Sequence, residues 1–138
     1  MTHRVEFADT DMAGIIHFSS FFRYMEVTEH AFIRSLGFSI HSGIDGQNFG
    51  WPRVHVECDF MKPVRFEDEI EVELVVREKR SRSLKYDFLM TKLGALEQGE
   101  IARGSFTVVC VTWNAAEAAM RAVPIPEALA HQIEAEAE

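Results

Sequence analysis

Only two cysteines, four prolines and fourteen basic residues occur in this 138-residue sequence, and apolar runs are short. Each shortage excludes something. A membrane-spanning helix needs about 20 predominantly apolar residues in a row, so none is expected. Cys58 and Cys110 each sit in an apolar, strand-like stretch. Two buried, reduced thiols are therefore expected rather than a disulfide framework. Asp plus Glu outnumber Lys plus Arg by 22 to 14, giving a net charge of -8. A field of that sign argues against general nucleic-acid binding, although a local basic cluster can still hold an anionic ligand. No zinc-ligand spacing and no nucleotide-binding glycine loop occurs, so neither a metal nor a redox cofactor is expected. Repeats and low-complexity linkers are missing too. The start, Met1-Thr2-His3-Arg4, carries no signal-peptide pattern. These features predict a cytoplasmic protein with no membrane or nucleic-acid partner.

Phenylalanine, by contrast, is plentiful, at 11 residues. Many aromatic rings in a small domain imply a thick core, an apolar ligand slot, or both. The length fits a single domain over residues 1–138. A domain of this size buries roughly two-thirds of the surface its unfolded chain exposes.

Periodicity supplies the elements. Arg4-Val5-Glu6-Phe7 alternates polar and apolar residues, as a short strand does. Ala8 to Gly14 is turn-prone. From Phe18 to about Leu36 apolar residues recur at helical spacing, with Ser19 or Ser20 as candidate caps and Gly37 as the stop. The apolar surface of this helix exceeds one stripe, which predicts burial against a sheet. Ser39 to Gly50 is loop-like. Four strand-like segments follow: Val54 to Phe60, ended by Pro63; Glu69 to Val76, alternating with acidic residues outward; Leu84 to Leu93; and Ile101 to Thr112, with Phe106 to Val111 buried on both faces. Pro124 and Pro126 break the chain before a tail helix, Glu127 to Glu136. One strand, one long helix and then a run of strands predict an α+β fold with a five-stranded antiparallel sheet.

Asp9-Thr10-Asp11-Met12-Ala13-Gly14 places two carboxylates between a strand and a helix start. Amide N–H groups at a helix start carry partial positive charge and can stabilise an oxyanion. A carboxylate a few residues upstream can attack a carbonyl or activate water against it. Ordinary turn chemistry uses the same residue types, and spacing alone does not separate the two readings. A calcium loop is excluded, because Ala13 and Ser20 stand at the fifth and twelfth positions, where that loop needs a liganding side chain and a Glu. A haloacid-dehalogenase-type phosphatase is excluded by Ala13 and by the short chain.

The segment from Val5 to Phe18, followed by Phe21-Phe22-Arg23-Tyr24-Met25-Glu26, resembles the hotdog-fold acyl-CoA thioesterases of the 4-hydroxybenzoyl-CoA thioesterase type. Their signature is Asp-x-Asp-x-x-Gly, two aliphatic residues, two residues that are usually aromatic or His, and an aromatic-rich helix. Phe60-Met61-Lys62-Pro63-Val64-Arg65-Phe66-Glu67-Asp68, Val109-Cys110-Val111 and Pro124-Ile125-Pro126 are similar to later parts of the same family. The resemblance implies a hotdog fold, with the sheet wrapped around the long helix. It implies Asp11 as the catalytic nucleophile or general base and the Phe18 N–H as the group that polarises the thioester carbonyl. Asp9 would shape the loop. His17 departs from the family, where a His more often takes the second of the two positions. It is expected to touch substrate, to act as acid or base, or to pack. Glu26 is expected in a buried hydrogen bond or ion pair with Arg23 or His30.

Lys79-Arg80-Ser81-Arg82-Ser83 is a basic cluster between two strands, which on its own reads as a solvated hairpin. The resemblance implies that Arg80, Ser81 and Arg82 hold the phosphates of coenzyme A, itself part of the substrate. In such relatives the site lies at a dimer interface, so these residues would serve the partner's site. A homodimer or homotetramer, joined edge to edge between sheets, is expected. The expected reaction is hydrolysis of an aromatic or medium-chain acyl-CoA. A hydratase or dehydratase on the same scaffold, and a non-catalytic acyl-CoA binder, are the competing readings.

Overall fold

The computed structural model describes residues 1–41, 43–44, 46–94 and 99–136. One long helix, α1, runs Phe18–Ser35, and Gly37, at φ 89°, turns the chain out of it. The strands are β1 (Thr2–Arg4), β2 (Arg53–Phe60), β3 (Glu69–Lys79), β4 (Ser83–Lys92), β5 (Glu100–Val109), β6 (Val111–Asn114) and β7 (Ala119–Ala122), and α2 is Glu127–Ala130. The first five strands form one antiparallel sheet in the order β1-β3-β4-β5-β2, and β6 pairs with β7. The fold is α+β, as expected. In the Ser39–Gly50 loop, Ser42 and Asp45 lie outside the described residues.

Close contacts divide the chain into two compact units, each taking part of α1 and of β2 to β5. The first comprises Met1–Glu29, Glu57–Leu74 and Asp87–Ser105. Its core holds Met25, Val64, Ile70, Val72, Phe88 and Met90. These side chains come from alternate strand positions and one helix face, the periods that the sequence displays. The second comprises His30–Val56, Val75–Tyr86 and Phe106–Glu138. Its core holds Ile33, Leu84, Tyr86, Val108, Leu129 and Ile133, with Phe32 edge-on to Tyr86.

Four expectations are corrected. The first strand ends at Arg4 instead of running to Phe7. Val5 still bonds to Asp68, but Phe7–Asp9 winds into a 3-10 turn because Asp9 Oδ2 accepts the Glu6 N–H. The last long strand breaks at Cys110, whose N–H goes to Arg82 O and whose carbonyl accepts the Val123 N–H. Beyond the break, β6 pairs with β7, a strand the sequence does not announce, since Ala119-Met120-Arg121-Ala122 neither alternates nor is rich in β-formers. The tail helix stops at Ala130, not Glu136. Lys79 Nζ donates to the carbonyls of Ala130 and Ile133, and the Glu136 N–H donates to Val76 O. The tail's hydrogen bonds are thus spent on β3 rather than on a longer helix.

Gly104 on β5 sets how closely α1 approaches the sheet in the first unit. A Cβ there would lie 2.6 Å from both Sδ and Cε of Met25 and 3.0 Å from the Glu57 carbonyl oxygen. Met25 is 0% exposed, so its side chain has nowhere free to go. Overpacking of this kind costs about 1–3 kcal/mol. Gly104→Ala is expected to lower Tm by roughly 3–12 °C in thermal unfolding followed by circular dichroism. An unchanged Tm would show that the contact is slack.

Candidate active site

The Asp-rich loop is a small hairpin built onto the first unit. Thr10 bridges Ile16, Ile15 bridges Arg65, and the Asp11 N–H donates to Ile15 O at 2.8 Å. Asp11 Oδ1 accepts the Ala13 N–H at 2.8 Å, and the Gly14 N–H returns to Asp11 O at 3.0 Å. Gly14 closes this turn at φ 80°, a left-handed conformation that L-residues resist. Asp11 itself stays exposed.

Asp9 behaves differently. It is 1% exposed; its Oδ2 accepts the Glu6 N–H (2.9 Å) and the Tyr24 hydroxyl (2.5 Å), and its Oδ1 meets the Arg23 guanidinium as an ion pair. Its backbone carbonyl accepts the His17 N–H at 2.7 Å and the Ser20 hydroxyl at 3.0 Å. The expectation that Asp9 shapes the loop holds. Burial pushes the Tyr24 phenol above its usual range, so it serves as a donor to Asp9.

At the helix mouth the capping residue is His17, in place of the expected Ser19 or Ser20. Its Nδ1 accepts the Ser19 N–H at 3.2 Å and lies 2.7 Å from the Ser19 hydroxyl, and its ring rests against Phe18. The Ser20 N–H is taken by His17 O at 2.9 Å. Among the described residues, no acceptor takes the Phe18 N–H.

Asp11 and Phe18 line one cavity of about 370 Å³, together with Ile16, Phe21, Phe60 and Lys62. Phe21 and Phe60 face each other at 5.2 Å. His17 is not among the lining residues. The inclusion of Phe60, Met61 and Lys62 was missed in the sequence, where this segment counted only as part of a turn motif. Its signal was an aromatic residue and a cation just before Pro63. Asp68 fixes that turn by accepting the Arg65 N–H at 2.8 Å and meeting Lys92 at 3.3 Å.

Arg80, Ser81 and Arg82 lie in the second unit, in the turn closed by the Arg80 N–H to Ser83 O. Arg80 and Ser81 line a cavity of about 440 Å³ with Lys79, Ile125 and His131. Arg80 meets Glu78 at 3.4 Å. The site residues thus fall into two groups, Asp11, His17 and Phe18 in the first unit and the basic turn in the second. Glu26 is exposed rather than buried, and Arg23 pairs with Asp9. Both thiols are free, Cys110 buried and Cys58 half-buried, and burial pushes each up to about 11. Neither is an activated nucleophile near neutral pH. No described helix is long and apolar enough to cross a membrane.

The family described as the Thioesterase-like superfamily matches residues 5–133. A 1,4-dihydroxy-2-naphthoyl-CoA hydrolase of Synechococcus sp. (strain WH7803) is 28% identical over 145 aligned positions, covering 98% of this chain and 88% of its own. The structure of a gentisyl-coenzyme A thioesterase superposes with a TM-score of 0.78 at 29% identity, over 94% of both chains. The 4-hydroxybenzoyl-CoA thioesterase of Pseudomonas sp. strain CBS-3 superposes with a TM-score of 0.76 at 21% identity, over 91% of both chains, a likeness of fold. The architecture is that of the hotdog thioesterases, as the resemblance implied.

An amide cap contributes about 0.5–2 kcal/mol to a helix. His17→Ala is expected to lose that amount in denaturant unfolding, and His17→Asn, which supplies another cap, to regain most of it. Equal stability of the alanine variant and the wild type would dismiss the capping role.

Proposed function

We infer, from the premise that this chain belongs to the Thioesterase-like superfamily, that it is an acyl-CoA thioesterase acting on an aromatic acyl group. The observation that carries this reading is one shared cavity: the exposed Asp11 carboxylate and Phe18, whose N–H has no acceptor among the described residues, line the same space. An aromatic acyl group suits the Phe21–Phe60 pair better than a linear chain does. Two relatives that align along most of their length, a 1,4-dihydroxy-2-naphthoyl-CoA hydrolase and a gentisyl-coenzyme A thioesterase, are also named for aryl-CoA substrates.

In this reading the substrate carbonyl oxygen accepts the Phe18 N–H at the positive end of α1. Asp11 then takes one of two routes. As general base it removes a proton from water while the water oxygen bonds to the carbonyl carbon. As nucleophile it forms an anhydride that water opens. Either way the C–S bond breaks, the sulfur leaves as thiolate and takes up a proton, and the acyl group departs as a carboxylic acid. No metal or redox cofactor has a task in this sequence of steps. Coenzyme A enters only as part of the substrate. His17 contributes by holding the helix mouth, rather than by moving a proton. Arg80 and Arg82, with Ser81, receive the coenzyme A phosphates, since a guanidinium can donate two hydrogen bonds to one phosphate. We also read the chain as a single hotdog domain that works in the cytoplasm.

The assay is thiol release from a panel of acyl-CoAs. Wild type is expected to prefer aryl-CoAs, and Asp11→Asn to lose at least ~100-fold in kcat. Arg80→Ala with Arg82→Ala is expected to raise KM for acyl-CoA but not for an acyl thioester lacking the nucleotide. A hydratase would consume an enoyl-CoA without releasing thiol, and a binder would turn over nothing. Unimpaired Asp11→Asn would remove Asp11 from the mechanism.

The edge strand β2 exposes Val54, Val56 and Phe60 at 60%, 44% and 49%. An uncovered apolar edge invites pairing with another strand. A homodimer joined there, or a homotetramer built from two such dimers, is our reading of the assembly. Light scattering at micromolar concentration tests it, and a monomer mass would refute it.

A further inference from the structure

We propose that Asp9 is a positioning residue for thioester hydrolysis, and that Tyr24 and Arg23 act through it. The inference rests on the reaction assigned above. It concerns residues that touch neither the substrate nor the cavity of Asp11.

The first amides of a helix have no partners within the helix and must find them elsewhere. Here three claims are made at the mouth of α1. His17 N–H goes to Asp9 O, Ser19 N–H to His17 Nδ1 and Ser20 N–H to His17 O. Among the described residues, the Phe18 N–H is what remains. The Asp9 carbonyl therefore decides which amide the helix offers. It also takes the Ser20 hydroxyl, so two donors from the first turn converge on one oxygen. That oxygen is placed by the side chain of its own residue. Oδ2 is held from two sides by Glu6 N–H and Tyr24 hydroxyl, and Oδ1 by Arg23. Tyr24 is itself held. His3 stacks on its ring at 4.9 Å, and the Thr28 hydroxyl donates to its carbonyl at 2.8 Å. Two residues beyond Asp9, the chain presents Asp11 on the hydrogen-bonded hairpin. One buried carboxylate thus sets the distance between the attacking oxygen and the free amide.

Such an arrangement matters for rate because a misplacement of about 1 Å can cost about 100-fold. It matters less for binding, since Asp9 meets no part of the cavity. Tyr24→Phe removes one hydroxyl and keeps the ring against His3. Arg23→Gln removes the charge from the other carboxylate oxygen. Both are expected to lower kcat by roughly 10- to 100-fold, with KM for the best aryl-CoA unchanged. The control is Gly104→Ala, which destabilises the same unit without touching Asp9. Assayed well below its Tm, it is expected to keep its kcat.

A second readout needs no activity. In wild type the His17 amide is protected from hydrogen exchange by Asp9 O. In Tyr24→Phe that amide alone is expected to exchange faster, while Val72 and Val108 stay protected. Wild-type kcat in Tyr24→Phe, or a rise in KM at constant kcat, would overturn the inference and leave the thioesterase reading standing. A wild type that releases no thiol from any aryl-CoA would overturn the reaction, and with it the catalytic role given to Asp9. Faster exchange at His17 in that protein would mark Asp9 as a structural anchor only.

Discussion

A fully enclosed carboxylate is costly unless its oxygens are supplied with donors or counter-charge, and Asp9 receives both. Much of the first unit follows from that requirement. The 3-10 turn at Phe7–Asp9 exists because the Glu6 amide folds back to the carboxylate. Tyr24 and Arg23 fix which face of α1 meets the loop. The Asp9 carbonyl then anchors the chain at the point where extended backbone becomes helix. Asp11 remains exposed, with one carboxylate oxygen accepting the Ala13 N–H within its own turn. Two acidic residues separated by one threonine therefore have opposite environments.

The cavity shared by Asp11 and Phe18 is lined by a carboxylate and by neither of the two thiols. Both cysteines are held as thiols by burial, and neither lines the space between Asp11 and Phe18. The aromatic count noted in the composition divides accordingly. Phe88 and Phe106 belong to cores, Phe18, Phe21 and Phe60 to the cavity wall, and Phe7 and Phe66 meet edge-on at the surface.

Features governed by short-range pattern were legible in the amino-acid order. Alternation at Ile70, Val72 and Val76 marked β3, and the recurrence from Phe18 to Ile33 marked α1 almost to the residue. Asp11 beside a helix start was legible for the same reason, since turn, carboxylate and helix lie within eight positions. Features decided by distant partners were not. Nothing local tells Cys110 to give its amide to Arg82, or the tail to surrender its carbonyls to Lys79. The cap was misassigned because serine is the common choice, while His17 reached the Ser19 amide first. Lys62 entered the cavity wall only through the way the chain turns at Pro63.

A Cβ built on Gly14 meets nothing within 4 Å, so the hairpin does not ask for a small residue there. What it asks for, at φ 80°, is a handedness. Every L-side chain strains against that backbone by about 1–2 kcal/mol, whereas a D-alanine introduced by chemical synthesis would sit in it at ease. The loop that carries Asp11 is, at one position, built for the mirror image of the amino acids the ribosome supplies.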